Sequence, residues 1–157
     1  MFILMMVGLI LWAIFIFYYL YLLSVPYFAR ESITKSSVLN KSSYPTVSIV
    51  VPARNEEANI EGCVEALAKL KYPKDDYRVI VVNDNSTDRT KEIVQTLEKK
   101  YPNVDLVDCP ELPAGWTGKN FACMTGAKFS TGEYLLFLDA DTKVVPSMLE
   151  VAIGFAC

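Results

Sequence analysis

The chain is 157 residues long, with 15 Lys and Arg against 18 Asp and Glu, no His and a formal net charge of −3. That length accommodates one ordinary domain, and the mildly acidic balance leaves no electrostatic footprint for nucleic acid. Four cysteines with no C-x-x-C pair and no histidine partner argue against zinc and against a dense disulfide framework.

Residues 1–29 carry no Asp, Glu, Lys or Arg, and Arg30 is the first charge. Phe2 to Leu23 is almost wholly apolar and as a helix would extend about 33 Å, enough to cross a bilayer core. Tyr18, Tyr19, Tyr21 and Tyr27 gather toward its C-terminal end, where an aromatic belt would lie. A cleaved signal peptide would need a basic start and a shorter apolar core. The expectation is therefore one transmembrane anchor over 1–29. Arg30, Lys35 and Lys41 follow that span and no basic residue precedes it, so the positive-inside rule expects a single-pass protein of the cell membrane with its domain cytoplasmic. From Arg30 to Thr46 the composition shifts to Ser, Thr, Lys and Asn, which reads as a linker or as an irregular first piece of the domain.

From Val47 to Cys157 strand and helix patterns alternate. Val47 to Val51 is β-branched and apolar, a strand that Pro52 ends. Asn55 is placed to cap a helix whose first turn holds Glu56 and Glu57. Ile60, Cys63, Val64, Leu67 and Leu70 then recur at helical spacing. Arg78 to Val82 reads as a second strand, and Ile93, Val94 and Leu97 mark one face of a second helix. A short third strand covers Val104 to Val107. A Pro- and Gly-rich loop runs from Cys109 to Gly118, and a third helix covers Phe121 to Phe129. Tyr134 to Leu138, five apolar residues after the turn Ser130-Thr131-Gly132, predict a strand buried on both faces. Pro146 suits the start of a last helix. The alternation predicts an α/β fold with a mostly parallel sheet.

Polar clusters follow three of these strands: Pro52 to Glu57, Asn83 to Asp88, and Asp139-Ala140-Asp141. In a parallel sheet all three fall on the carboxyl edge, where ligands bind. A nucleotide would fit there. Asp84 can accept the imide N–H of a uracil, Asp139 and Asp141 can hold a divalent cation on a diphosphate, and Lys119 can place a positive charge near phosphate. Each piece has a plainer alternative. Glu56 and Glu57 can serve only a helix N-terminus, Ser86-Thr87-Asp88 can serve only as a cap, Lys119 can be a solvated charge, and Trp116 can simply pack against the sheet.

The turn Pro52 to Glu57, the strand end Asn83-Asp84-Asn85-Ser86-Thr87-Asp88 and the D-x-D at Asp139 to Asp141, in this order, resemble the inverting glycosyltransferases of family 2. The resemblance covers about Val47 to Cys157. Leu112 to Asn120 is similar to a branch acting on lipids such as carotenoid acids and hopanoids. The resemblance implies a GT-A fold, Rossmann-like, and a nucleotide-sugar donor linked to UDP or GDP. It implies that Asp84 binds the donor base and that Pro52, Ala53, Arg54, Asn55 and Glu57 line the nucleotide pocket. Lys119 and Asp139 would sit on the donor, and Asp141 with Asp139 would hold Mg²⁺ or Mn²⁺. With the anchor, it implies a lipid acceptor at the membrane. Asn83 stands where the family usually has Asp, so no key role is assigned to it.

In that family the general base is a carboxylate downstream of the D-x-D. The expectation is a donor-binding half, truncated at Cys157 and inactive by itself, with its base beyond that point. Two other readings compete. Leu135 to Thr142 fits the D-x-D-x-T strand of a haloacid dehalogenase-type phosphatase, with Asp139 as nucleophile, although the motif falls late in the chain. The other is a non-catalytic, membrane-anchored nucleotide-binding module.

Overall fold

The computed structural model describes residues 6, 8, 10–24 and 44–156. Residues 6, 8 and 10–24 are helical, and the stretch 10–24 is named α1. Among the described residues no helix is long and apolar enough to cross a membrane. This overturns the expected transmembrane anchor, and with it go the single-pass topology, the cytoplasmic placement and the membrane and lipid partners inferred from it. The expected linker lies outside the described residues except for 44–46.

The domain alternates β1 (Val47–Ala53), α2 (Ile60–Ala68), β2 (Tyr77–Asn83), α3 (Thr90–Lys100), β3 (Val104–Asp108), α4 (Gly118–Phe129), β4 (Tyr134–Phe137) and α5 (Met148–Ala156). Every strand pairing is parallel and the order is β3-β2-β1-β4. The chain builds outward from β1 to β3, then α4 carries it back across the sheet to lay β4 on the other side of β1. That reversal makes β1 and β4 the switch point of an open α/β sheet, where a crevice forms beyond the strand ends.

Period-two alternation sorts the strand residues between two cores. Ile49, Val51, Val79 and Val81 meet Ile60, Val64 and Leu67 of α2, Val94 and Leu97 of α3, and Leu149 and Ile153 of α5. Val50, Ile80 and Val82 face the other way, onto Phe121 and Ala122 of α4. Gly126 permits that second contact. A Cβ there would collide with Val50 and come within 2.9 Å of Val82 Cγ2, so only glycine lets α4 lie this close to the sheet.

Two strand predictions change. Pro52 does not end β1, which continues to Ala53. The Val50 carbonyl accepts from Leu138 N–H and the Ala53 carbonyl from Asp84 N–H, so even-numbered residues of β1 turn toward β4. The missing N–H of Pro52 therefore faces a neighbour whose pairing has stopped at Phe137, and no ladder bond is lost. The second change concerns β4, which is buried on one face and not two. Tyr134 and Leu136 pack on the first core, while Leu135 and Phe137 are 41% and 46% exposed. The strand is the edge of the described sheet, and α4 covers β1 and β2 instead.

Candidate functional site

The carboxyl ends of β1, β2 and β4 and the first turn of α4 enclose a cleft of about 400 Å³. Pro52, Ala53, Arg54 and Glu56 form the wall after β1, and Asp84 comes from the end of β2. Gly118 and Lys119 open α4, and Asp139, Ala140 and Asp141 follow β4. Seven of the sequence-predicted residues thus share one cavity. Register explains the meeting. Ala53 pairs with Asn83, so Asp84 stands one step beyond the β1–β2 ladder. Val50 pairs with Phe137, so continuing that register brings Asp139 level with Pro52.

Asp84 is buried, with 5% of its surface exposed. Its carboxylate lies 3.6 Å from the Arg54 guanidinium, an ion pair too long for a good hydrogen bond. Gly118 makes room for it. A Cβ at that position would stand 2.5 Å from Asp84 Oδ2. The other acidic corner is open. Asp139 Oδ1 and Lys119 Nζ pair at 2.7 Å with both side chains more than half exposed. The hydrogen bond to Asp139, reinforced by its charge, raises the Lys119 ammonium above the ordinary lysine range. Lys119 is therefore neither an unpartnered surface charge nor remote from the D-x-D.

Below this corner lies Cys63 of α2, 5% exposed, whose thiol points at the Asp139 carbonyl across 3.9 Å. Burial, then the charges of Asp141 and Glu56, push the thiol up to about 11. It is a protonated packing group beneath the floor of the cleft.

Asn55 and Glu57 do not line the cleft. Both turn toward the loop after β2. The Asn55 N–H donates to Ser86 Oγ at 3.1 Å and its Oδ1 accepts from Thr87 N–H at 2.8 Å. The Glu57 N–H donates to Asp88 Oδ2 at 3.1 Å, and Arg89 N–H donates to Glu57 Oε2 at 3.2 Å. Asn55 does not cap α2 either; the residue before that helix is Asn59. Trp116 packs edge-on to Phe121 of α4.

Sequence reasoning took Glu56 only as part of the turn after β1, gave Asn83 no key role and passed over Gly118. Glu56 and Gly118 line the cleft; a wall glycine gives no signal except that it begins a helix. Asn83 is buried, donates from Nδ2 to Asp108 Oδ1 at 2.9 Å and accepts from Ser86 N–H at 3.2 Å. An amide supplies both a donor and an acceptor there; an ionised Asp would face Asp108 with no proton to give.

The family model for glycosyl transferase family 2 matches residues 48–157. The chain belongs to that family. It is 41% identical over 102 residues to the probable glycosyltransferase YdaM of Bacillus subtilis, which covers 65% of this chain and 24% of that protein. S. aureus TarS, crystallised in complex with UDP-GlcNAc, superposes with a TM-score of 0.57 at 33% identity, over 70% of this chain and 30% of that one. The mannosyltransferase PcManGT of Pyrobaculum calidifontis, in complex with GDP-Man and Mn²⁺, gives 0.64 at 26% identity, over 83% and 38%. The chain thus spans about a quarter to a third of the length of the curated relatives it matches. The GT-A-like parallel fold is shown by these likenesses, and the match over 48–157 displaces the phosphatase reading. The family match names no acceptor, so the resemblance to a carotenoid- and hopanoid-glycosylating branch gains no support from it.

The expected metal-binding motif needs correction. Among the described residues, no group of three or more His, Cys, Asp or Glu could hold a metal ion. The D-x-D contributes two carboxylates, and one of them is already paired to Lys119. Among the described residues the D-x-D thus stands without a third metal-ligating side chain.

Proposed function

We propose that the cleft is the donor site of a glycosyltransferase and takes a nucleotide-sugar linked to UDP or GDP. The observation that carries this reading is the convergence of three strand ends on one cavity, with Asp84 recessed in its wall and Lys119 at its mouth. A recessed carboxylate accepts a base N–H with the selectivity of a desolvated hydrogen bond. Lys119 at the start of α4 offers an ammonium, and the helix N-terminus adds partial positive charge, for the diphosphate. Pro52, Ala53 and Arg54 form the wall against which the nucleoside lies.

Charge supports a role for a divalent cation. Around the cleft Glu56, Asp84, Asp139 and Asp141 outnumber Arg54 and Lys119, so an anionic diphosphate enters a net acidic site. The exposed Asp139 carboxylate and its neighbour Asp141 supply hard oxygen donors suited to Mg²⁺ or Mn²⁺. With diphosphate oxygens completing the shell, such an ion would neutralise phosphate charge and favour departure of the nucleoside diphosphate. Its residues in this chain are Asp139 and Asp141. Lys119 would then be free to serve phosphate in place of Asp139.

Titration calorimetry with UDP and with GDP, each with and without Mn²⁺, tests the reading. One nucleotide should bind, more tightly with Mn²⁺, and Asp84→Asn and Asp141→Ala should each weaken it. Failure of the unaltered chain to bind either nucleotide would refute the proposal.

A further inference from the structure

Between the cleft and α3 the loops after β1 and β2 are joined by hydrogen bonds and by the Arg89–Glu57 ion pair at 3.4 Å. Five main-chain N–H groups cross the gap, Arg89 N–H to Glu57 Oε2 among them. Asn55 donates to Ser86 Oγ at 3.1 Å, Glu56 to Thr90 Oγ1 at 2.8 Å and Glu57 to Asp88 Oδ2 at 3.1 Å, while Thr87 donates back to Asn55 Oδ1 at 2.8 Å. The Thr87 hydroxyl adds a longer contact to the same Oδ1 at 3.3 Å. Asn55, like Glu57 and Thr87, uses both its main chain and its side chain in this seam, and its Oδ1 takes both Thr87 donors. It does so with φ +56°, one of two positive-φ residues other than glycine among those described, and the second is Asn85 with φ +50°, in the facing loop. Asn tolerates that left-handed geometry better than other side-chain-bearing residues. Arg54 and Glu56 line the cleft, and the Asn55 amide between them reaches the other loop.

Resting on the donor-site reading, we propose that Asn55 is a positioning residue for nucleotide binding: its amide clasps the loop after β2 and so sets Arg54 against Asp84. The two residues it couples are the ends of one unit. Arg54 precedes it directly, and Asp84 sits two residues before Ser86, its main-chain N–H bonded to Ala53 O at 2.8 Å. Losing the Oδ1 acceptor leaves Thr87 N–H to water, frees the two loops to part and spreads Arg54 over more orientations. Ordering them again on binding then costs affinity.

Three variants separate the amide from the backbone. Asn55→Gly keeps the left-handed turn and removes the acceptor. Asn55→Asp keeps an acceptor and the turn. Glu57→Gln, elsewhere on the same seam, retains a side-chain oxygen for Arg89 N–H and serves as a control. Amide hydrogen exchange, thermal melting and calorimetry with UDP and GDP in the presence of Mn²⁺ are read on each chain. For Asn55→Gly the expected result is faster exchange at Thr87 and nucleotide binding about fivefold weaker, the equivalent of one net hydrogen bond. Its melt should remain cooperative. Asn55→Asp should restore Thr87 protection and most of the affinity. The proposal is overturned if Asn55→Gly binds nucleotide as tightly as the parent, or if Asn55→Asp is as weak as Asn55→Gly. If the parent chain binds neither nucleotide, the donor-site reading itself falls, a result distinct from either of these.

Discussion

Gly118→Ala should separate binding from folding. A Cβ at 118 would lie 2.5 Å from Asp84 Oδ2 and 3.5 Å from Arg54 Nη1. An ordinary carbon–oxygen contact needs nearly 1 Å more, so either the Asp84 carboxylate rotates or α4 retreats from β2. Overpacking of this size costs about 1–3 kcal/mol. Against it, Ala is favoured over Gly in a helix by about 1 kcal/mol, less at this first position. The net change in stability should therefore lie between roughly zero and 2 kcal/mol. Affinity is not protected in this way. A hydrogen bond from a ligand to a charged carboxylate contributes about 1.5–3 kcal/mol. Displacing Asp84 should weaken nucleotide binding by about ten- to a hundredfold. Calorimetry with the nucleotide that binds the parent chain, paired with urea denaturation of both proteins, reads the two effects. Unchanged affinity in a folded Gly118→Ala chain would show that Asp84 does not meet the ligand from the position assigned to it here.

Gly126→Ala should act oppositely, lowering the melting temperature through a net loss of about 1–2 kcal/mol with little direct effect on the cleft, because its Cβ strikes Val50 and Val82 between α4 and the sheet; an unchanged or raised melting point would count against that packing. Glu65 joins α2 to α3 by accepting from Lys100 at 2.6 Å and Lys69 at 3.0 Å, and hydrogen bonds from Lys100, Lys69 and Tyr101 hold its carboxyl down at about 2 against an ordinary 4.5. A depressed folded-state value means stability that is complete above about pH 4.5 and lost as pH falls toward 2. The stability gap between the parent and Glu65→Gln, read by urea titration, should therefore close over that window. Cys63, buried and pushed up to about 11, should resist alkylation at pH 8 until urea is added; labelling of Cys63 in the native chain would contradict its placement.

Much of this arrangement was legible in the chain because strand, helix and strand ends are written in local patterns. Val47 to Val51 and Arg78 to Val82 are runs that only a covered parallel sheet absorbs, and the polar residues that end them mark its ligand edge. What a local pattern does not carry is which side of a strand end a residue faces. Asn55 and Glu57 lie in the same short motif as Arg54 and Glu56, yet their side chains bond to the loop after β2 while Arg54 and Glu56 line the cleft. The edge position of β4 was equally hidden. Tyr134 to Phe137 is apolar throughout, and the exposure of Leu135 and Phe137 follows from where α4 lies, not from β4. The apolar N-terminal run misled for a related reason. Hydropathy reports what a helix would tolerate, and among the described residues no helix is long and apolar enough to cross a membrane.

The position of the D-x-D is decided at the far end of the strand that carries it. Ser48, buried in β1, accepts from Thr131 and Gly132 N–H at 3.2 and 3.0 Å, and Thr46 Oγ1 accepts from Glu133 N–H at 3.1 Å. A Cβ at Gly132 would fall 2.7 Å from the Ser48 nitrogen, so this close approach requires glycine. These contacts fix Val47 opposite Tyr134. From there the side-chain period of two leaves no freedom. Tyr134 and Leu136 fall on the first core, and Asp139 arrives beside Pro52 at the cleft. A slip of one residue would turn Leu136 away from that core and bring Ala140 or Leu138 to the place of Asp139. The apolar face and the acidic end are thus under one constraint. The hydroxyl of Ser48, at the opposite edge of the sheet from any ligand, holds the register on which Asp139 and Lys119 meet.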